Sequence, residues 1–118
     1  MDDRELVRQV ALDYFEAWFD GDVERMDRAL HPELVKRWPG TAGASELPIT
    51  TKARMLELTA QGEGASDRGD GRVGVDVVDV QGDIASAVVR GGAYHEYLQL
   101  VRTGAGWKIA NTLWTYAE

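Results

Sequence analysis

Residues 97–114, YLQLVRTGAGWKIANTLW, constrain the fold more than any other stretch of this chain. They predict two long strands joined by a tight hairpin at Gly104-Ala105-Gly106, with apolar residues on alternate positions of both strands. A hairpin of this kind can form the wall of a pocket. The two-residue period begins earlier, at Arg72. It predicts strands over 72–81, 84–90, 93–103 and 107–116, with a hairpin loop at Gln81-Gly82-Asp83 and a break or bulge at Gly91-Gly92.

Upstream of Arg72 the period is helical. Leu6, Val7, Val10, Ala11, Tyr14, Phe15 and Trp18 recur at three- and four-residue spacings and predict a helix over 3–19 with one apolar stripe. Gly21 suits its C-terminal end. Asp22 is placed to cap a second, shorter helix with Val23, Met26 and Leu30 inward, closed by His31-Pro32. Residues 34–38 predict a short extended piece and 39–48 a loop. Thr50 or Thr51 caps a third helix to about Ala60, with Met55, Leu56 and Thr59 on one side. Residues 61–71, rich in glycine and charge, read as a flexible turn region. Helices followed by antiparallel strands define an α+β chain, here a single domain over residues 1–118, and not a doubly wound α/β fold.

Composition narrows the partners. The net charge of −7 disfavours a phosphate backbone, so nucleic acid is not an expected partner. With no cysteine there is no disulfide framework, thiolate metal site or cysteine nucleophile, which fits a cytoplasmic protein. The N-terminal residues are charged and no long apolar run follows, so neither secretion nor membrane insertion is expected.

Four segments occur in a telling order: Trp18-Phe19-Asp20-Gly21-Asp22, ALHPELVKR at 29–37, MLELT at 55–59, and the closing hairpin. In that series the chain resembles the nuclear transport factor 2-like superfamily, including its SnoaL-like and ketosteroid-isomerase-like members, and most resembles the branch called "putative lumazine-binding". The resemblance spans essentially the whole chain. It implies a cystatin-like cone, in which a strongly curved antiparallel sheet wraps the N-terminal helices around an internal pocket. It also implies a homodimer formed through the outer sheet face. Members include isomerases, cyclases, dehydratases and binding modules without chemistry, so the fold does not settle the function.

Tyr14 sits on the inward stripe, one turn before Trp18. In the isomerase-like relatives a tyrosine at the matching place donates to an enolate oxygen, stabilising charge that develops in the transition state. The acidic base of those enzymes is missing, because Trp38 occupies its region and indole cannot abstract a proton. Their second acidic donor has no clean match either: Leu98 falls near it, with Glu96 one step along the same face. Ketosteroid isomerisation is therefore not expected.

Simple alternation places Glu96, Leu98 and Leu100 on one face, and Trp107, Ile109, Asn111 and Leu113 on one face of the next strand. If both point inward, a carboxylate and an amide share a pocket, and Glu96 becomes a candidate general acid or base. One bulge near Gly91-Gly92 would reverse that phase. His31 is a further catalytic candidate, although its position before proline at a helix end also suits capping. His95 alternates away from Glu96. Two histidines on separate elements make no metal site, and neither a metal nor another cofactor is expected. The opposite face of the hairpin, Tyr97, Gln99, Thr112, Trp114 and Tyr116, has the mixed aromatic and polar character of a sheet-on-sheet contact, so it is the expected dimer face. Gly69-Asp70-Gly71-Arg72-Val73-Gly74 matches a dinucleotide fingerprint in letters alone, since it leads into a strand.

The sequence thus predicts a mostly apolar pocket for a small organic molecule, lined by Tyr14, Trp18, Trp38, Met55, Glu96 and Asn111. Two functions compete: ligand binding without catalysis, and a proton-transfer enzyme (isomerase, cyclase or dehydratase) with Glu96 as base and Tyr14 or Asn111 as oxyanion donor.

Overall fold

A computed structural model describes residues 2–41 and 43–118; the expected loop 39–48 therefore includes one residue, Ala42, outside the described set. Helix α1 runs Asp3–Asp20. The Asp2 carboxylate accepts from the Glu5 amide at 2.8 Å and caps its start, and Gly21 ends it at φ 69°, a conformation open to glycine at little cost. Its apolar stripe buries Val7, Ala11, Tyr14 and Phe15, together with Ala17 and Phe19. Asp22 caps α2, Val23–Ala29. Arg25 ties the two helices together by reaching Asp13 at 2.9 Å and Glu16 at 2.5 Å.

The second helix stops earlier than its apolar spacing suggests. The chain turns extended at Leu30 (φ −101°, ψ 136°) and enters strand β1, Leu30–Arg37. Leu30 is fully buried, but from a strand, where it pairs with Ile109. Proline two residues on and a free strand edge favour extension over another helical turn. The two-residue strand β2, Ile49–Thr50, then leads through the Thr51 cap into α3, Lys52–Ala60, which buries Met55 and Thr59. A short 3-10 turn, Ala65–Asp67, lies within the glycine-rich segment.

The closing strands are β3 Val73–Gln81, β4 Ile84–Gly91, β5 Tyr94–Thr103 and β6 Gly106–Tyr116. They pair antiparallel in succession, and the six-stranded sheet has the order β2-β1-β6-β5-β4-β3. One junction departs from the expected antiparallel sheet: β1 joins β6 in parallel, so the sheet is mixed. Helix α1 packs against β3, β4 and β6, and the core fills the space between the helix and the inner sheet face.

The register carries the most consequential difference. Gln99 pairs with Asn111, but Leu100 pairs with Ile109, which leaves Ala110 as an extra residue in β6. A bulge of this kind bends and twists its strand, and every side chain beyond it changes face. Trp107 and Ile109 are buried as alternation requires, but Thr112 replaces Asn111 and Leu113 on the inner side. Gly91-Gly92, where a break or bulge was expected, is a break: β4 ends at Gly91 and β5 resumes at Tyr94 after a tight turn, without a slip in pairing.

Candidate functional site

A cavity of about 270 Å³ opens between α1, α3 and the far end of the sheet. Its floor follows from three backbone registers. Tyr14 comes from the buried stripe of α1. Glu96 comes from β5, opposite Val89 on one side and Trp114 on the other. Lys36 comes from β1, aligned with Thr112 of β6 and Thr50 of β2. The Tyr14 hydroxyl donates to Glu96 Oε2 at 2.6 Å and accepts from Lys36 Nζ. The Lys36 ammonium is itself 3.4 Å from Glu96 Oε2, with side-chain exposures of only 12% and 3% for the two partners. Phenol, ammonium and carboxylate therefore form one closed triangle.

Burial sets the proton affinities. Tyr14 is held well above the ordinary phenol value, first because the phenolate would be desolvated and second because Glu96 lies beside it. Desolvation pulls Lys36 below the ordinary lysine value, and the attraction of Glu96 offsets part of that shift. The ammonium also sits 5.0 Å from the ring centre of Tyr14 and 5.5 Å from that of Trp114, within cation–π range. Thr112 Oγ1, at the β6 position paired with Lys36, is buried and makes no hydrogen bond among the described residues.

Above this floor the walls are aromatic. Trp38 stacks on Trp114 with ring centres 4.8 Å apart and planes 8° from parallel. Tyr94 stacks on Tyr116 at 5.8 Å. The Trp18 indole N–H donates to the Tyr94 hydroxyl at 3.1 Å, and that hydroxyl donates to Asp67. Burial, reinforced by the Asp67 carboxylate, raises the Tyr94 phenol above its usual range. Met55 and Leu58 supply apolar surface from α3.

Five of the six residues predicted for the pocket line this cavity: Tyr14, Trp18, Trp38, Met55 and Glu96. Asn111 does not. It is exposed on the outer face, where its amide donates to Gln99 Oε1 at 3.1 Å, because the Ala110 bulge reverses its phase. The same reversal corrects the expected dimer face. Tyr97 and Gln99 stay outside, whereas Thr112 is buried and Trp114 and Tyr116 line the cavity. Leu113 takes an outer position beside Tyr97. His31 lies at the start of β1, away from the cavity, and its Nδ1 accepts from the Glu33 amide at 3.0 Å.

Lys36 is the residue that sequence reasoning missed. A signal for it existed: once Trp38 is placed inside, period two puts Lys36 and Leu34 on the same face. Among the described residues no three histidine, cysteine or carboxylate side chains converge as metal ligands, and no helix is long and apolar enough to cross a membrane.

The six-stranded mixed sheet packed against a long helix is a fold shared with solved structures described as NTF2-like or cystatin-like. The chain belongs to the family described as "Putative lumazine-binding", whose sequence profile matches residues 2–115. No functionally curated protein is detectably similar in sequence. Among solved structures, an NTF2-like protein of unknown function from Silicibacter pomeroyi superposes with a TM-score of 0.75 at 18% identity, covering 96% of this chain and 94% of its own. An NTF2-like protein with a cystatin-like fold from Novosphingobium aromaticivorans gives 0.68 at 20% identity, covering 98% and 82%. A ketosteroid isomerase-like protein from Erwinia carotovora atroseptica gives 0.64 at 16% identity, covering 99% and 98%. At such identities the likeness shows the fold alone.

Proposed function

We propose that this protein binds a small, planar organic molecule in the cavity between α1, α3 and the sheet, and that binding rather than proton transfer is its primary role. The observation that carries this reading is the direct 2.6 Å bond between Tyr14 and Glu96. An acid–base site of the isomerase kind needs the carboxylate and the phenol apart, with the reacting atoms between them. Here each already satisfies the other, and Lys36 closes the triangle. What stays open to a ligand is the aromatic wall of Trp18, Trp38, Trp114 and Tyr116, above a floor that can still offer N–H hydrogens of Lys36.

The volume, about 270 Å³, is at the small end of ligand sites and suits one or two fused rings rather than a steroid. A pteridine, the ring system named in the family description, is of that size, but no residue of the floor reads its donor and acceptor pattern in particular. The test is a thermal-shift screen spanning pteridines, flavins, steroids and aromatic polyketides, followed by calorimetry on any hit. The expected result is stabilisation by one- or two-ring compounds that is lost in Trp114→Ala. A screen in which no such compound stabilises the protein would defeat the reading.

We propose also that two copies associate through the outer sheet face. Tyr97, Leu113 and Ile84 stand out there with exposures of 53%, 45% and 62%, and Val88, Tyr97 and Leu113 form one row across β4, β5 and β6. A contiguous apolar row of this kind is seldom left in water.

A further inference from the structure

We propose that Lys36 captures the carbonyl carbon of a small aromatic aldehyde or ketone as a reversible imine. The proposal rests on the binding reading above and adds to it the chemical class of the ligand.

Three features of the floor lead to it. First, Lys36 is the one lysine on the cavity. The chain has three lysines besides its arginines: Lys52 is bound to the carbonyls of Asp27 and Leu30 at 3.1 and 3.0 Å, and Lys108 to that of Arg28 at 2.5 Å, both on another side of the molecule. Second, the ammonium has a proton acceptor in place. Glu96 Oε2 lies 3.4 Å from Nζ, and Tyr14 touches both groups, so a proton can pass from nitrogen to carboxylate directly or through the phenol. Third, Lys36 and Glu96 neutralise each other. The further carboxylates on the cavity, Glu63 and Asp67, disfavour an anionic ligand, whereas a neutral, polarised carbonyl meets a nucleophile and a hydrogen-bond donor. Burial, which holds Lys36 below its ordinary value, enlarges the fraction present as free amine.

The chemistry balances without any further reactant. The proton of the Lys36 ammonium moves to Glu96, leaving a neutral amine and a neutral acid. The nitrogen lone pair attacks the carbonyl carbon, and the C=O π pair moves to oxygen. A proton passes from nitrogen to that oxygen to give the carbinolamine. Glu96 then returns its proton to the hydroxyl, the C–O bond breaks, water leaves, and the nitrogen lone pair closes the C=N bond as a protonated imine. In sum, one ammonium and one carbonyl give one iminium and one water. The iminium keeps the positive charge of Lys36, so Glu96 remains paired. Trp38 and Trp114, stacked at 4.8 Å, supply an apolar wall beside an aryl group attached to that carbon.

The test uses the whole chain and benzaldehyde, with cyanoborohydride to reduce any imine to a stable benzylamine, and peptide mass spectrometry to locate the adduct. The expected result is one lysine adduct, on Lys36, with Lys52 and Lys108, which lie off the cavity, labelled far more slowly. The Lys36→Arg variant keeps a cation beside Glu96 and should lose that adduct. Benzyl alcohol, which cannot form an imine, reads cavity binding separately by calorimetry. If benzyl alcohol binds but benzaldehyde labels all three lysines alike, or none, the imine proposal is wrong and the binding reading stands. If benzyl alcohol fails to bind and Lys36 is not labelled, both are wrong. Mapping on the unmodified chain decides the matter even if the variant does not fold.

Discussion

At the scale of single residues, the Lys36–Glu96–Tyr14 triangle concentrates the energetic risk of the molecule. A buried charge left without its partner costs far more than the pair contributes. Lys36→Met should therefore destabilise the fold by about 3–5 kcal/mol in urea unfolding, and adding Glu96→Gln to it should recover a good part of that loss. A double variant no more stable than Lys36→Met would mean that Glu96 is not charged against Lys36. The same triangle sets an alkaline pH dependence with two opposed contributions. Lys36 is held below 10.5 in the fold, so between its lowered value and 10.5 the unfolded chain binds the extra proton, and stability rises with pH. Tyr14 and Tyr94 are held above 10.0, so beyond pH 10 the unfolded chain sheds protons that the folded chain retains, and stability falls. Unfolding measured across about pH 8–11 should pass through a maximum, and the alkaline fall should be shallower in Tyr14→Phe. An unchanged alkaline slope in that variant would contradict the assignment.

At the scale of elements, two local devices position the site. The first is the Ala110 bulge in β6, which brings Thr112 and Trp114 inside and sends Asn111 and Leu113 out. The second is the approach of the glycine-rich segment to the helix and hairpin around it. A methyl group on Gly64 would fall 2.3 Å from the Trp18 carbonyl, and one on Gly92 only 2.0 Å from that of Asp67. Gly92 also has a positive φ of 53°. Gly40 has a similar φ of 67° but open space around it. Gly40→Ala should therefore cost about 1 kcal/mol, the conformational term alone, and Gly92→Ala clearly more, since the backbone must move as well. Equal losses in thermal or urea unfolding would show that the close approach to Asp67 has no energetic weight.

At the scale of the whole molecule, one sheet serves two surfaces. Its inner face carries the cavity, and its outer face carries the row Val88, Tyr97 and Leu113. If that row joins two copies, Tyr97→Lys should halve the mass measured by sedimentation while leaving ligand stabilisation intact, because Tyr97 does not line the cavity. A monomeric unmodified chain would dispose of the association proposal without touching the binding one. The parallel β1–β6 junction belongs to this scale too. It carries Lys36 and Trp38 to the strand that holds Thr112 and Trp114, and so joins the N-terminal half of the chain to the closing hairpin.

The order of elements, the limits of the four closing strands to within about a residue or two, the caps at Asp22 and Thr51, and the inward stripe bearing Tyr14 and Trp18 were all legible from the sequence, because each follows from local spacing and local hydrogen bonding. Glu96 was legible too, because alternation along β5 is unbroken up to Leu100. Three things came only with the tertiary structure. The bulge at Ala110 arises where β6 bends against β5, and nothing in its own letters marks it; on its far side Asn111, Thr112, Trp114 and Tyr116 all changed roles. The parallel pairing of β1 depends on which sheet edge is free once the hairpins have closed. Lys36 shares the period-two face of Leu34 and Trp38, but a lysine is held inside only because Glu96 and Tyr14, distant in sequence, meet it there. Local periodicity determined which residues form helices and strands; only the long-range registers decided which side chains share the cavity.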